Sequence, residues 1–250
     1  MNKKFVNNYK LTNIYNNNKF NKISSQLLFG ESFYVIRKYY NYLYIRTSYD
    51  NYYGYIKNKK YNLFKKTPTH QVITKDVNLH KFSNNNFITA KKKLLFGSKL
   101  IVSETKSNFS KVGKFWIKNI NIFSLKKKIQ FPLKYLKVYK NTKYVWGGIS
   151  TNGIDCSGLV QSIYKLNRQY FPRDTKDQIK FIKDKISLKY SKNGDLFFWK
   201  GHIGIKINRQ CLMHAYGPKK KVVISKIDKI ISELQSKHLN LLAIKRYKLK

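Results

Sequence analysis

The chain has 250 residues, 42 % of them apolar and 25 % charged, which is enough to bury a core and unlike a disordered chain. Its charge is one-sided, with 52 Lys and Arg against 11 Asp and Glu for a formal +41, so an acidic-polymer partner competes with a simple Lys-rich compositional bias. No window approaches the roughly eighteen consecutive apolar residues of a membrane-spanning helix, and two cysteines, Cys156 and Cys211, are too few for a disulfide framework.

The first twenty residues carry lysines but no apolar run longer than Phe5-Val6, so no secretory signal is visible and a cytoplasmic location is expected, with export by another route as the alternative. An internal repeat follows. Leu27-Leu28-Phe29-Gly30 recurs 67 residues later as Leu94-Leu95-Phe96-Gly97. Each copy continues into short runs of β-branched and aromatic residues, such as Phe33-Tyr34-Val35-Ile36 and Leu43-Tyr44-Ile45 in the first and Leu100-Ile101-Val102 and Phe115-Trp116-Ile117 in the second. Runs of this kind, broken by Gly and Asn, have the chemistry of strands and turns. They predict two small β-barrels, over residues 1–66 and 67–126, with one larger β domain as the alternative. The lysines are spread over every segment, which fits compositional bias as readily as a dedicated binding face. Either way the chain is expected to hold anions at low salt and release them as salt rises.

A Lys-rich connector at 125–128 precedes Pro132, which is placed to open a helix over 133–139. Residues 127–250 form the third predicted domain and hold nearly all the candidate chemistry. From Cys156 onward, Leu159, Val160, Ile163, Tyr164 and Leu166 recur at helical spacing after the glycines 147, 148 and 153. Cys156 is thereby set at a helix N-terminus, where free N–H groups and the helix dipole favour a thiolate and are expected to lower the thiol pKa. Farther on, Leu196-Phe197-Phe198-Trp199 and His202-Ile203-Gly204-Ile205 read as two strands joined at Lys200-Gly201, with His202, Gly204 and Lys206 on one face. A third strand carries His214 in Leu212-Met213-His214-Ala215. Adjacent antiparallel strands bring His202 and His214 together, so that one imidazole takes the thiol proton and the other orients it. A Cys-His-His zinc site is an alternative, although gaps of 46 and 12 residues do not match common zinc spacings. Cys211 reads as a packing residue, and His70, His80 and His238 lack any catalytic context.

The ordered motifs Tyr144-Val145-Trp146-Gly147-Gly148, Asp155-Cys156-Ser157-Gly158-Leu159-Val160, Gly194-Asp195-Leu196-Phe197-Phe198-Trp199, Gly201-His202-Ile203-Gly204-Ile205 and His214-Ala215 resemble the NlpC/P60 family of cell-wall peptidases over residues 130–250. The N-terminal repeats are similar to the bacterial SH3-like domains that accompany it. The resemblance implies an α+β, papain-like catalytic domain behind two SH3-like barrels, and hydrolysis of γ-D-glutamyl–diamino acid bonds in murein peptides, with no metal or cofactor. It implies Cys156 as nucleophile, His202 as base and His214 as orienting residue. It implies substrate contacts at Tyr144, Asp155 and Ser157, and at Arg173 and Thr175 in the cleft-side stretch that runs from Pro172-Arg173-Asp174-Thr175 to Gln178, with Thr175 standing where a serine is common. Glu31 or Glu104 stands as a guess for a further substrate contact from the SH3-like part. An acyltransferase or amidase using the same Cys-His pair, and a non-catalytic polyanion- or nucleic-acid-binding protein, are the competing functions.

Overall fold

The structure is a computed structural model that describes residues 3–249. The chain divides into two compact units, Met1–Lys128 and Ile129–Lys250. The first unit is built almost wholly from antiparallel strands. One seven-stranded sheet runs in the order Ile23–Leu28, Leu11–Tyr15, Tyr53–Lys57, Tyr42–Thr47, Ser32–Lys38, Lys4–Val6, Asn62–Leu63. Alternation decides which side chains are inside: in Tyr42–Thr47, Leu43, Ile45 and Thr47 are buried and their neighbours only half so. Ile14, Leu27, Phe33, Leu43, Ile45, Ile56 and Tyr61 form the core of this sheet, each burial contributing about 1.5–3 kcal/mol.

The second part of the unit folds as a three-stranded sheet (Lys99–Leu100, His70–Val72, Ile122–Ser124) and a five-stranded one running from Asn86–Leu94 through Val77–Ser83, Phe115–Lys118 and Phe109–Val112 to Glu104–Lys106. Val72, Val77, Leu79, Leu94, Leu100 and Ile117 pack together there. Where two closed barrels were expected, the described strands form open sheets. Several ladders end on strands of two or three residues, such as Asn62–Leu63 and Glu104–Lys106, which leaves the sheet edges unjoined.

The repeat survives as a repeated turn. Glu31 N–H donates to Leu28 O at 3.2 Å and Ser98 N–H to Leu95 O at 3.1 Å, with Gly30 and Gly97 in the left-handed region at φ +79° and +85°. The two copies also touch: Lys99 N–H donates to Phe29 O at 2.8 Å, and a Cβ on Gly30 would fall 1.9 Å from the Lys99 carbonyl oxygen. Of the two glutamates, Glu31 is buried and accepts from Leu28 N–H at 2.9 Å, which closes its own turn, while Glu104 is exposed and paired with Lys111 at 3.0 Å.

The second unit is built on a six-stranded antiparallel sheet in the order Lys185–Ile186, Ala243–Lys245, Leu196–Trp199, His202–Lys206, Cys211–Tyr216, Lys221–Lys226. Leu196, Phe197, Phe198 and Trp199 are all buried, so this strand is covered on both faces. Helix α1 (Cys156–Leu166) packs along the His202–Lys206 and Cys211–Tyr216 strands. It buries nine of its eleven residues, as a helix in the middle of a core must. A short helix, α2 (Thr175–Phe181), follows the Pro172-Arg173 turn. Helix α3 (Ile227–Gln235) sets Ile227, Ile230 and Leu234 against Phe197, Trp199, Leu212 and Tyr216. The helix expected after Pro132 is a 3₁₀ helix, Pro132–Tyr139, not an α-helix. Pro132, Leu136 and Tyr139 are its buried residues. Among the described residues no helix is long and apolar enough to cross a membrane.

Candidate active site

Asp155 fixes the start of α1. As N-cap it is in extended conformation, and its Oδ1 accepts from Gly158 N–H at 2.7 Å, a contact worth about 1 kcal/mol. The same carboxylate accepts from Gly147 N–H at 2.9 Å and from the Ser157 hydroxyl at 3.2 Å. Arg173 forks onto it, with Nη2 2.7 Å from Oδ2 and Nη1 3.0 Å from Oδ1. Arg173 also donates to Ser157 Oγ at 2.9 Å and to the Gly148 carbonyl at 3.3 Å. Asp155, Ser157 and Arg173, read from the sequence as substrate contacts, are all buried, and their observed partners lie within the protein. Together they staple the glycine turn, the helix start and the Pro172-Arg173 turn around the position of Cys156. Gly158 takes part by its size: a Cβ there would sit 2.4 Å from the Gly148 carbonyl oxygen. Gln178 tightens the same region from α2 by donating to Ser157 O at 3.1 Å and Pro172 O at 2.9 Å.

Cys156 is the first residue of α1, buried, and a free thiol, as is Cys211. Its sulfur lies 4.0 Å from Thr175 Oγ1 and 3.9 Å from the carbonyl oxygen of Gly201, the residue before His202. The thiol is thus brought to the beginning of the His202–Lys206 strand, although among the described residues no hydrogen bond joins it to His202. Tyr144 comes to the same region from the other side. Its N–H donates to Lys220 O at 2.8 Å and it bridges to Ile154, while burial first, then Cys156 and Asp155, raise its phenol pKa.

The two imidazoles meet as the strand pairing requires. Ile205 opposes Met213 and Lys206 opposes Leu212, and a Cβ on Gly204 would lie 3.5 Å from His214 Cβ. His202 and His214 are therefore diagonal neighbours on one face. A hydrogen bond of 2.9 Å links His202 Nε2 and His214 Nδ1. Beyond it, His214 Nε2 lies 2.9 Å from the hydroxyl of Ser225 on the edge strand. Tyr216 packs on both rings, at 5.6 Å from His202 and 5.1 Å from His214, and its hydroxyl donates to Glu233 Oε1 at 2.7 Å. One nitrogen of each histidine is thus committed to the other, which runs against the Cys-His-His zinc reading. Among the described residues no group of three or more His, Cys, Asp or Glu is arranged to hold a metal ion.

Burial governs the charge state. It pushes the Cys156 thiol from 9.0 up to about 11, with Asp155 adding to the rise, while the N–H groups of Ile203 and Ser157 and the Thr175 hydroxyl pull it down. The sequence argument expected a lowered thiol. A helix dipole is worth about 0.3–1 kcal/mol, less than one pKa unit, and enclosure of the sulfur outweighs it. Burial likewise lowers His202 to about 4, and burial followed by His202 lowers His214 to about 3. At neutral pH the resting set is one thiol and two neutral imidazoles. Neither group ionises easily alone, but a thiolate and an imidazolium formed together attract each other in a poorly screened setting. The arrangement is suited to taking a proton from sulfur only as an acyl group is attacked.

Thr175, Cys156, His202, His214 and Tyr144 are brought into one region of the second unit. Gln178, which closes the Pro172–Gln178 stretch of the resemblance, lies beside them, whereas Ser225 was not singled out from the sequence. Ser225 follows Val222-Val223-Ile224 in the strand Lys221–Lys226, and nothing in that run marks it as more than a strand serine.

Residues 141–239 match the model of the NlpC/P60 family. The chain is 38 % identical over 98 residues to a γ-D-glutamyl-L-lysine dipeptidyl-peptidase of Bacillus subtilis, covering 36 % of this chain and 33 % of that one. It is 33 % identical over 100 residues to dipeptidyl-peptidase 6 of Lysinibacillus sphaericus, covering 40 % and 35 %. It therefore spans about a third of the length of these relatives. Among solved structures, an NlpC/P60 family protein from Bacillus cereus superposes with a TM-score of 0.83 at 16 % identity, covering 99 % of this chain and 100 % of that one, which shows a shared fold.

Proposed function

We propose, for a chain that carries an NlpC/P60 family domain at residues 141–239, that it is a cysteine peptidase acting on γ-D-glutamyl–diamino acid bonds of murein peptides. The observation that carries this reading is the convergence of a helix-start thiol, a strand-start imidazole and a second imidazole bonded to the first at 2.9 Å. The names of the Bacillus and Lysinibacillus relatives support the peptide class.

In the proposed reaction, His202 takes the thiol proton as the sulfur of Cys156 bonds to the γ-glutamyl carbonyl carbon. Backbone N–H at the start of α1, that of Cys156 among them, holds the oxyanion. The C–N bond then breaks and the amine leaves with the proton from His202. Water, deprotonated by His202, attacks the thioester and releases the acid and the thiol. Tyr144 and Thr175 flank the sulfur and are the proposed substrate contacts. Asp155, Ser157 and Arg173 serve by holding the loop and helix on which the sulfur stands. The three-domain division at 66 and 126, with SH3-like modules ahead of the catalytic part, completes the reading.

The test is mass spectrometry of the products from L-Ala-γ-D-Glu-diaminopimelate. Release of the diamino acid and an L-Ala-D-Glu dipeptide is expected; cleavage of another bond, or transfer of the acyl group to an added amine instead of water, would move the assignment to the amidase or acyltransferase reading. Soluble tripeptides are the proposed substrates, and a preference for insoluble sacculi would overturn that part.

A further inference from the structure

The row of hydrogen bonds does not stop at His214. We infer that Ser225 is a positioning residue of the same site, setting the tautomer of His214 and through it that of His202; this rests on the peptidase reading for its catalytic consequence.

To accept a proton from Cys156, His202 needs an unprotonated nitrogen toward the sulfur. Its Nε2 is the atom bonded to His214, at 2.9 Å from His214 Nδ1. Hence Nδ1 is the atom left to act as base, and in the neutral ring the proton sits on Nε2. That Nε2–H needs an acceptor, so His214 Nδ1 must be bare and its proton must sit on its own Nε2. The group facing His214 Nε2, at 2.9 Å, is Ser225 Oγ. A hydroxyl can accept there and still donate through its own hydrogen. The chain of donors therefore runs His202 Nε2–H to His214 Nδ1, then His214 Nε2–H to Ser225 Oγ. Remove the hydroxyl and the buried His214 ring gains nothing from keeping its proton on Nε2. Its other tautomer points Nδ1–H at His202 Nε2, which forces the His202 proton onto Nδ1 and leaves the base blocked.

The sheet places the hydroxyl without strain. His214 opposes Val223 and Leu212 opposes Ser225 across the Cys211–Tyr216 and Lys221–Lys226 strands, so His214 and Ser225 are diagonal on one face. The ionisable groups that act on His214 are His202, Glu233 and Lys219, and the Tyr216 ring packs on it 5.1 Å away. None is altered by a change at Ser225, and Ser225 itself has no charge to lose.

The experiment compares Ser225→Ala and Ser225→Thr with the parent by steady-state kinetics on the murein tripeptide and by ¹⁵N NMR of the imidazole nitrogens. The parent is expected to show both histidines protonated on Nε2 at neutral pH. Ser225→Ala is expected to populate the Nδ1–H form of His214 and to lose about tenfold in kcat with KM little changed, as for loss of one hydrogen bond that matters during the reaction. Ser225→Thr keeps a hydroxyl and is expected to recover both. An unchanged tautomer in Ser225→Ala overturns the inference whether or not the peptide is a substrate, because the spectrum needs no turnover. So does a changed tautomer with unchanged kcat in a protein whose Cys156→Ala variant is inactive. Turnover by Cys156→Ala defeats the peptidase reading instead and leaves the NMR result to decide the tautomer.

Discussion

Both units are rich in antiparallel strands, yet they use their buried polar side chains differently. In the first, Asn7 donates to the carbonyls of Leu27 and Leu28 and Glu31 accepts from Leu28 N–H. Such bonds close turns and end in backbone, and the side-chain bond beside them, Thr12 Oγ1 donating to Asn7 Oδ1 at 2.9 Å, joins two uncharged groups. In the second, buried polar side chains bond to one another in two rows, Arg173–Asp155–Ser157 and His202–His214–Ser225. A backbone partner fixes one loop. A side-chain partner fixes the orientation and charge of another reactive group, and it is costly if only partly made. The contrast separates a scaffold from a site more clearly than charge does, because lysines crowd both units.

The contrast can be broken most severely at Cys156. Cys156→Ala is expected to lower turnover of the tripeptide by at least about a thousandfold while the melting curve stays in place. No change of similar size is expected from Glu31→Gln in the first unit, so a larger kinetic loss there would undo the division. Next comes His214→Ala, expected to cost about 100-fold or more in kcat, because His202 loses its orienting acceptor. Arg173→Met tests the other row. It leaves the buried Asp155 carboxylate unpaired, and a loss of about 3–5 kcal/mol in unfolding free energy is expected by chemical denaturation. The exposed Glu104–Lys111 pair makes the counterpart in the first unit, where Glu104→Gln is expected to change stability by less than about 1 kcal/mol.

The most diagnostic effect is the pH dependence of stability. His202 and His214 are depressed to about 4 and about 3, so between pH 6.5 and that range the unfolded chain binds protons that the folded one refuses. Stability then falls as pH drops through this window, on the order of 3 kcal/mol for His202 alone. Cys156 is raised to about 11, so its contribution is whole below pH 9 and is lost as pH climbs from 9 to 11. Urea unfolding across pH 4–10 should show a plateau between about 6.5 and 9. Replacing both histidines by Gln should flatten the acid side, and an acid limb that persists unchanged would place its cause elsewhere.

Much of the site could be read from the chain because its parts are local. Asp155-Cys156-Ser157-Gly158 is a cap followed by a helix pattern, and the strand alternation around His202 and His214 sets them on one face. The relation of those pieces was harder to read. Nothing in the segment of Asp155 announces that Arg173, eighteen residues on, will fork onto its carboxylate. Ser225 was overlooked because a single serine in a strand carries no pattern. The rise in the thiol pKa depends on how completely the sulfur is enclosed, a property of the packed unit and not of the motif. In the first unit the repeat was legible as a four-residue match, and the turn at Gly30 and Gly97 accounts for it. Whether the strands close depends on where ladders end, and two- and three-residue strands leave almost no trace in sequence. The 3₁₀ turn after Pro132 differs from an α-helix by one residue in its bonding, which apolar spacing over eight residues scarcely resolves.

The central claim is that the sulfur of Cys156 becomes covalently joined to the γ-glutamyl carbonyl carbon. It is tested most directly by rapid acid quench during turnover of L-Ala-γ-D-Glu-diaminopimelate, followed by intact-mass measurement and peptide mapping. The account predicts a transient thioester adduct of the L-Ala-γ-D-Glu acyl group on the peptide containing Cys156, absent from Cys156→Ala. Steady hydrolysis by that variant, or an adduct mapping to Cys211 or to a serine, would contradict it.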